Sequence, residues 1–268
     1  MAKDKGYRTI PMSPGRRMQA DGVRSGTIQG AIHGLIEVDV TRARQLIREH
    51  QARTGERLSF TAFAIACLAR AVAENPRVQA YRDWRNRLVV FDDVDVNAMV
   101  EGDAGDGEKV VMALFIRAAN KKTLRQIHED IRAFQKQETT RSFFKVMRLL
   151  MALPGPVRRA FYASVSRSPH MHKKGLGTVA MSSVGMFGGP GRGSVGGWGI
   201  PISHHTLAVT LGGIGCRQVL VDAGPQDREF LCVTISVDHA IVDGAPAARF
   251  AARFRELLES AYGLEDDV

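Results

Sequence analysis

The chain has 268 residues, 44% of them apolar and 24% charged, with a formal net charge of +9 at pH 7. That is apolar material for one large globular core or two small ones, and three scattered cysteines (Cys67, Cys216 and Cys232) suggest neither a disulfide framework nor a paired-thiolate zinc site. The charged start has no apolar leader and no later run reaches about 18 uninterrupted apolar residues, so a cytoplasmic protein is expected rather than a secreted or membrane-spanning one.

The basicity is local. Between Lys136 and Lys174 stand nine Lys or Arg and one acid, Glu138, whereas the rest of the chain is nearly balanced with 28 basic and 27 acidic residues. A nucleic-acid partner is not expected, because that class spreads or stripes its cations and often interleaves aromatic stacking platforms.

In chain order, residues 1–28 read as an extended polar arm and residues 29–268 as one domain. GLIEVDVT (34–41) alternates as a strand, and the helix after it is predicted to end at Gly55. Ser59 is placed to cap FTAFAIACLARAVAENP, a helix apolar on nearly every face and therefore deeply packed. RLVVF, VDVNAMV and KVVMALFI read as strands, and Thr123 with Gln126 forms a capping box for the next helix. The basic segment, about 138–175, fits two helices of about ten residues broken by PGP, too short to span a bilayer. Such a hairpin could pack on the rest of the protein, lie peripherally on an anionic membrane through 142–167, or hold an acidic acyl carrier. GTVAMSSVGMF, HTLAVTLGGI, RQVLV and FLCVTISVDH follow as strands, and a closing helix runs from about Ala245 to Tyr262. Without a regular βαβ rhythm, this mixture predicts an α/β sandwich on a mixed sheet flanked by helices.

Three clusters are candidate sites. GRGSVG (191–196) matches a dinucleotide-binding pattern, but a phosphate-cradling loop must open a helix, and GWGIPISHH follows instead; a mobile loop between strands is the better reading. His170, His172, His204 and His205 lack acidic or thiol partners at ligand spacing, so they read as surface histidines and no metal is expected. SVDHAIVDGAPAARF (236–250) is different. It ends a strand on His239, whose side chain can accept and return a proton near neutral pH. Asp243 follows at the turn, able to cap the final helix or hold an Arg, and Gly244 would let backbone pass close by. On spacing alone a buried, backbone-satisfied His239 beside a plain N-cap fits as well.

TISVDHAIVDGAPAARFAARFRELLE (234–259) resembles the closing motif of the catalytic domain of dihydrolipoamide acyltransferases of 2-oxo acid dehydrogenase complexes, and shares His-x-x-x-Asp-Gly with chloramphenicol acetyltransferase. HGLIEVDVTRA, LSFTAFAIACLARAVAENPRVQA, IRAANKKTLRQI and TVAMSSVGMFG resemble, in order, that family's first strand, buried helix, coenzyme A-side segment and Ser-containing strand. The resemblance implies a chloramphenicol acetyltransferase-like fold and coenzyme A or acyl-CoA as substrate. It makes His239 the base that deprotonates a thiol, Ser182 the oxyanion donor with Ser183 as its neighbour to test, and Asp243 and Gly244 supporting residues. Arg16 or Arg17 would pair with Asp243. It also implies a homotrimer, or a higher assembly of trimers, with His and Ser supplied by different chains. Two positions depart from the pattern: Ala240 stands where an Arg is usual, and Leu114 or a neighbour where a Pro is common. No lipoyl domain is recognisable, so no covalently bound lipoate is expected in this chain, and the acyl group would come from a lipoyl protein or acyl carrier in trans or from a free thioester. A catalytically inactive trimeric scaffold is the alternative.

Overall fold

A computed structural model describes residues 30–103, 109–136, 153–185, 193–221 and 224–265. The arm, with Arg16 and Arg17, and much of the basic segment lie outside the described residues.

Strand β1 (Ala31–Asp39) leads into α1 (Thr41–Thr54), which stops where Gly55 turns left-handed at φ 76°. Only a residue without Cβ adopts that conformation at little cost. Helix α2 (Phe60–Glu74) starts at Ser59, whose hydroxyl accepts from the Ala62 N–H, and every residue from Ala62 to Ala69 is buried. Small strands β2 (Tyr81–Arg82) and β3 (Leu88–Val89) precede the pair β4 (Val96–Asp103) and β5 (Lys109–Ile116). The predicted capping box opens α3 (Leu124–Lys136): the Thr123 N–H donates to Gln126 Oε1 at 2.9 Å and the Gln126 N–H to Thr123 Oγ1 at 3.2 Å.

The basic segment differs from expectation. From within PGP onward it forms two helices, α4 (Gly155–Arg167), with Pro154 as its N-cap, and α5 (Pro169–Leu176). Ser168 breaks them apart because Pro169, at the first position of α5, biases the residue before it toward extended backbone. The helix expected before PGP falls outside the described residues.

Strands β6 (Val179–Ser183), β7 (Leu207–Val221) and β8 (Gly224–Asp238) complete a mixed sheet of order β1-β8-β7-β6-β4-β5, and α6 (Gly244–Glu259) closes the fold. β6 is parallel to both neighbours, and the other pairs are antiparallel. Strand alternation divides the sheet into two faces. Val96, Ala98, Val179, Met181, Val209, Leu211, Val233, Ile235 and Val237 enter the core with α2 and α6, while Ser182, Thr210, Thr234 and Ser236 take the opposite, outer face.

Residues 193–197 of the glycine-rich stretch, where a mobile loop is expected, are held by backbone hydrogen bonds; residues 186–192 lie outside the described residues. The Gly193 N–H donates to the Cys216 carbonyl, the Cys216 N–H to the Ser194 carbonyl and the Gly213 N–H to the Gly197 carbonyl, all at 2.9 Å. β7 bulges between Leu211 and Ile214 at this crossing. A Cβ on Gly212 would lie 2.1 Å from the Gly197 carbonyl oxygen and 3.0 Å from that of Cys232. Both obstacles are backbone, which yields poorly. Gly212→Ala should therefore destabilise the protein by about 3 kcal/mol or more, whereas Gly30→Ala, with nothing within 4 Å, should be neutral on this account; urea unfolding of both variants checks the contrast.

Candidate active site

β8 ends at Asp238, and the chain turns out of the sheet. Asp238 organises the turn: its carboxylate accepts from the Ala240 N–H at 3.0 Å, and its carbonyl accepts from the N–H groups of Ile241 at 3.0 Å and Val242 at 2.9 Å. His239 is exposed, and its N–H is fixed by the Gly30 carbonyl at 2.9 Å. The ring Nδ1 lies 3.2 Å from the Val242 carbonyl oxygen. A carbonyl only accepts, so that contact requires the proton on Nδ1 and leaves Nε2 with its lone pair.

Asp243 is exposed and occupies the N-cap of α6, but its carboxylate makes no capping hydrogen bond; only its carbonyl serves the helix, accepting from the Ala247 N–H at 3.2 Å. Within the chain nothing crowds Gly244. It is the first residue of α6, and an added Cβ would meet nothing within 4 Å among the described residues of this chain.

Ser182 is half-buried on the outer face, whereas Ser183 is exposed and, by alternation, points to the other side. Ser182 pairs with Thr210, and Thr210 with Thr234, five residues before His239. Five residues advance a strand by about 16 Å and two strand spacings add about 10 Å sideways, so Ser182 and His239 of one chain stand roughly 19 Å apart. They cannot act on the same atom within one subunit.

The register also reveals features that a one-dimensional reading missed. Met99, Ser182, Thr210, Thr234 and Leu35 form one row across five strands of the outer face. Thr210 and Thr234 are buried, and their hydroxyls have no hydrogen-bond partner among the described residues. Leu35 and Met99 of this row, and Val195, Ile200 and Ile202 of the stretch before β7, are exposed, large apolar groups suited to burial against another chain.

Two of the four histidines expected on the surface are instead buried. His172 of α5 packs its ring 4.4 Å from Tyr81 and 5.0 Å from His205, and neither of its nitrogens has a hydrogen-bond partner among the described residues. His205 Nε2–H donates to the Leu176 carbonyl at 2.9 Å, and its Nδ1 faces the Ser203 hydroxyl at 3.2 Å. Desolvation pushes His172 down to about 3 and His205 down to about 4, with neighbouring histidines adding to the shift. His170 is exposed and His204 intermediate. No group of three or more His, Cys, Asp or Glu among the described residues could hold a metal ion.

Residues 4–143 and 168–264 match the 2-oxoacid dehydrogenases acyltransferase (catalytic domain), and the chain belongs to that family. The gap in the match, 144–167, falls within the basic segment. The lipoamide acyltransferase component of the branched-chain alpha-keto acid dehydrogenase complex of Bacillus subtilis is 25% identical over 266 residues, 97% of this chain and 54% of that protein. The chain thus spans about half the length of the curated relatives it matches. Among solved structures, the cubic core of the pyruvate dehydrogenase multienzyme complex superposes with a TM-score of 0.67 at 19% identity, covering 98% of this chain and 96% of that one. The dihydrolipoamide acetyltransferase of Azotobacter vinelandii, in which the catalytic roles of a serine, a histidine and an asparagine have been studied, gives a TM-score of 0.66 at 19% identity, covering 98% and 96%. These likenesses fix the fold as that of the acyltransferase cores.

The buried histidines impose a pH dependence on stability. Each is neutral in the folded protein and titrates near 6.5 when unfolded, so between those values the unfolded chain binds more protons. Stability should be complete above about pH 6.5 and fall as the pH drops toward 4, by up to about 1.4 kcal/mol per pH unit for each histidine. Unfolding free energies of the parent and His172→Phe across that range check this, the variant losing stability less steeply.

Proposed function

We propose that the protein is a coenzyme A-dependent acyltransferase that moves an acyl group between a thioester and a thiol. The thiol is that of coenzyme A, dihydrolipoamide or another acyl carrier, and a lipoyl or acyl-carrier protein acting in trans is the expected partner. His239 is the general base, and Ser182 of a neighbouring subunit donates to the oxyanion. The single observation carrying this reading is the separation of His239 and Ser182 within one chain: a site using both has to be assembled between copies. The exposed apolar groups in the row of Ser182 support such an assembly, a homotrimer or a larger body built from trimers.

The chemistry follows from the residues. Nε2 of His239, left with a lone pair, takes the thiol proton. A free thiol near 8.5 and a free imidazole near 6.5 differ by about 3 kcal/mol, a gap that a close hydrogen bond can reduce. The thiolate attacks the thioester carbonyl, and the Ser182 hydroxyl donates to the oxygen as it becomes negative. Collapse of the tetrahedral intermediate expels the other sulfur, to which the imidazolium returns its proton. Asp243 supports the turn that presents His239, with Arg16 or Arg17 of the arm as its partner; Gly244 has no assigned contact.

Thiol release from a panel of acyl-CoA donors tests the assignment. His239→Ala should fall to background, Ser182→Ala should lose about 10²-fold or more in rate, and Ser183→Ala should resemble the parent. His239→Ala at the parental rate would remove the base. Co-expression of His239→Ala and Ser182→Ala chains should restore part of the lost activity, since mixed assemblies contain interfaces with both groups intact; no recovery in demonstrably mixed assemblies would refute the shared site.

A further inference from the structure

The helices α4 and α5 carry a surface that the acyl-transfer reading does not use. Residues 155–176 hold five cations (Arg158, Arg159, Arg167, Lys173 and Lys174) and no Asp or Glu. Nearby carboxylates are already engaged: Asp93 with Lys121 at 2.6 Å and Lys173 at 3.8 Å, and Asp95 with Arg117 at 3.0 Å. Arg159 and Lys174 are exposed and make no ion pair among the described residues. Interspersed with these cations, Val157 and Met171 are exposed by 50% and 49%.

The patch is anchored. Buried His172 locks α5 against Tyr81 and His205, and Arg117 donates to the carbonyls of Lys173 at 2.6 Å and Lys174 at 2.7 Å. α4 packs on α5 where Val165 meets Gly175, an added Cβ there lying 3.7 Å from the valine methyl. α5 feeds directly into β6 at the edge of the sheet where β8 ends, so the patch belongs to the same edge as His239.

We infer that α4 and α5 form a docking surface for an anionic lipid bilayer. Exposed Arg159 and Lys174, which make no ion pair among the described residues, match the charge of such a surface, and exposed Val157 and Met171 supply the apolar contact that distinguishes an interfacial helix from a purely electrostatic site. The sequence entering α4, SFFKVMRLLMAL (142–153), continues the same mixture of apolar and basic residues. No helix among the described residues is long and apolar enough to cross a membrane, and the attachment proposed is peripheral.

Co-sedimentation of the full chain with vesicles tests this independently of catalysis. The protein should pellet with vesicles of phosphatidylglycerol and phosphatidylcholine in equal parts, not with phosphatidylcholine alone, and binding should weaken as salt rises. The double variant R159E/K174E should lose about tenfold or more in partitioning, and V157S/M171S, at unchanged charge, should lose severalfold. Both substitute exposed residues, and their thiol-release rates without lipid should match the parent. No binding to the mixed vesicles, or binding unchanged in R159E/K174E, overturns the proposal. Binding lost in R159E/K174E, unchanged in V157S/M171S and equally strong to polyglutamate overturns it in favour of an acidic protein partner.

Discussion

The register of β8 against its neighbours is the constraint on which the rest of the structure depends. Leu231, Val233, Ile235 and Val237 all enter the core, so Thr234 and Ser236 are committed to the outer face and the strand delivers His239 at its end, outside the sheet. A one-residue slip would exchange the faces, placing hydroxyls in the core and apolar side chains on the outer surface. β7 is bound by the same condition through Val209 and Leu211, and β6 through Val179 and Met181. Ser182 faces outward because Met181 faces inward.

This register also accounts for the separation of the proposed base from the proposed oxyanion donor. A sheet transmits position rigidly: two strands across and five residues along are distances that no side-chain rotation closes. On the proposed assignment a second chain completes the arrangement, and exposed large apolar groups such as Leu35 and Met99 of the outer face are available for that contact. The buried Thr210 and Thr234 hydroxyls on this face are costly to leave without partners, as expected where a face is shaped by something other than the stability of a lone subunit.

The attachment of α5 follows a different logic. His172 and His205 are tolerated in a buried setting because each stays neutral, the second exchanging hydrogen bonds with a carbonyl and a hydroxyl. Arg117 then occupies carbonyls at the end of α5, where the helix dipole favours a cation. The segment that interrupts the family match is thus tied, just after the interruption, to the sheet edge that carries His239.

Local chemistry was legible in the sequence: Gly55 as a helix stop, Ser59 as a cap, the Thr123–Gln126 box, the nearly all-apolar α2 and the position of His239 after a β-rich run. Each is decided by neighbours within about four residues, through backbone conformation or a capping hydrogen bond. The resemblance of several motifs in order carried the family and the fold. Tertiary structure alone decided what depends on residues far apart in the chain. It buried His172 between Tyr81, ninety-one residues earlier, and His205, pinned residues 193–197 on the β7 bulge and aligned Ser182 with Thr210 and Thr234. Strand pairing and burial are set by which segments meet, and no local pattern encodes that meeting.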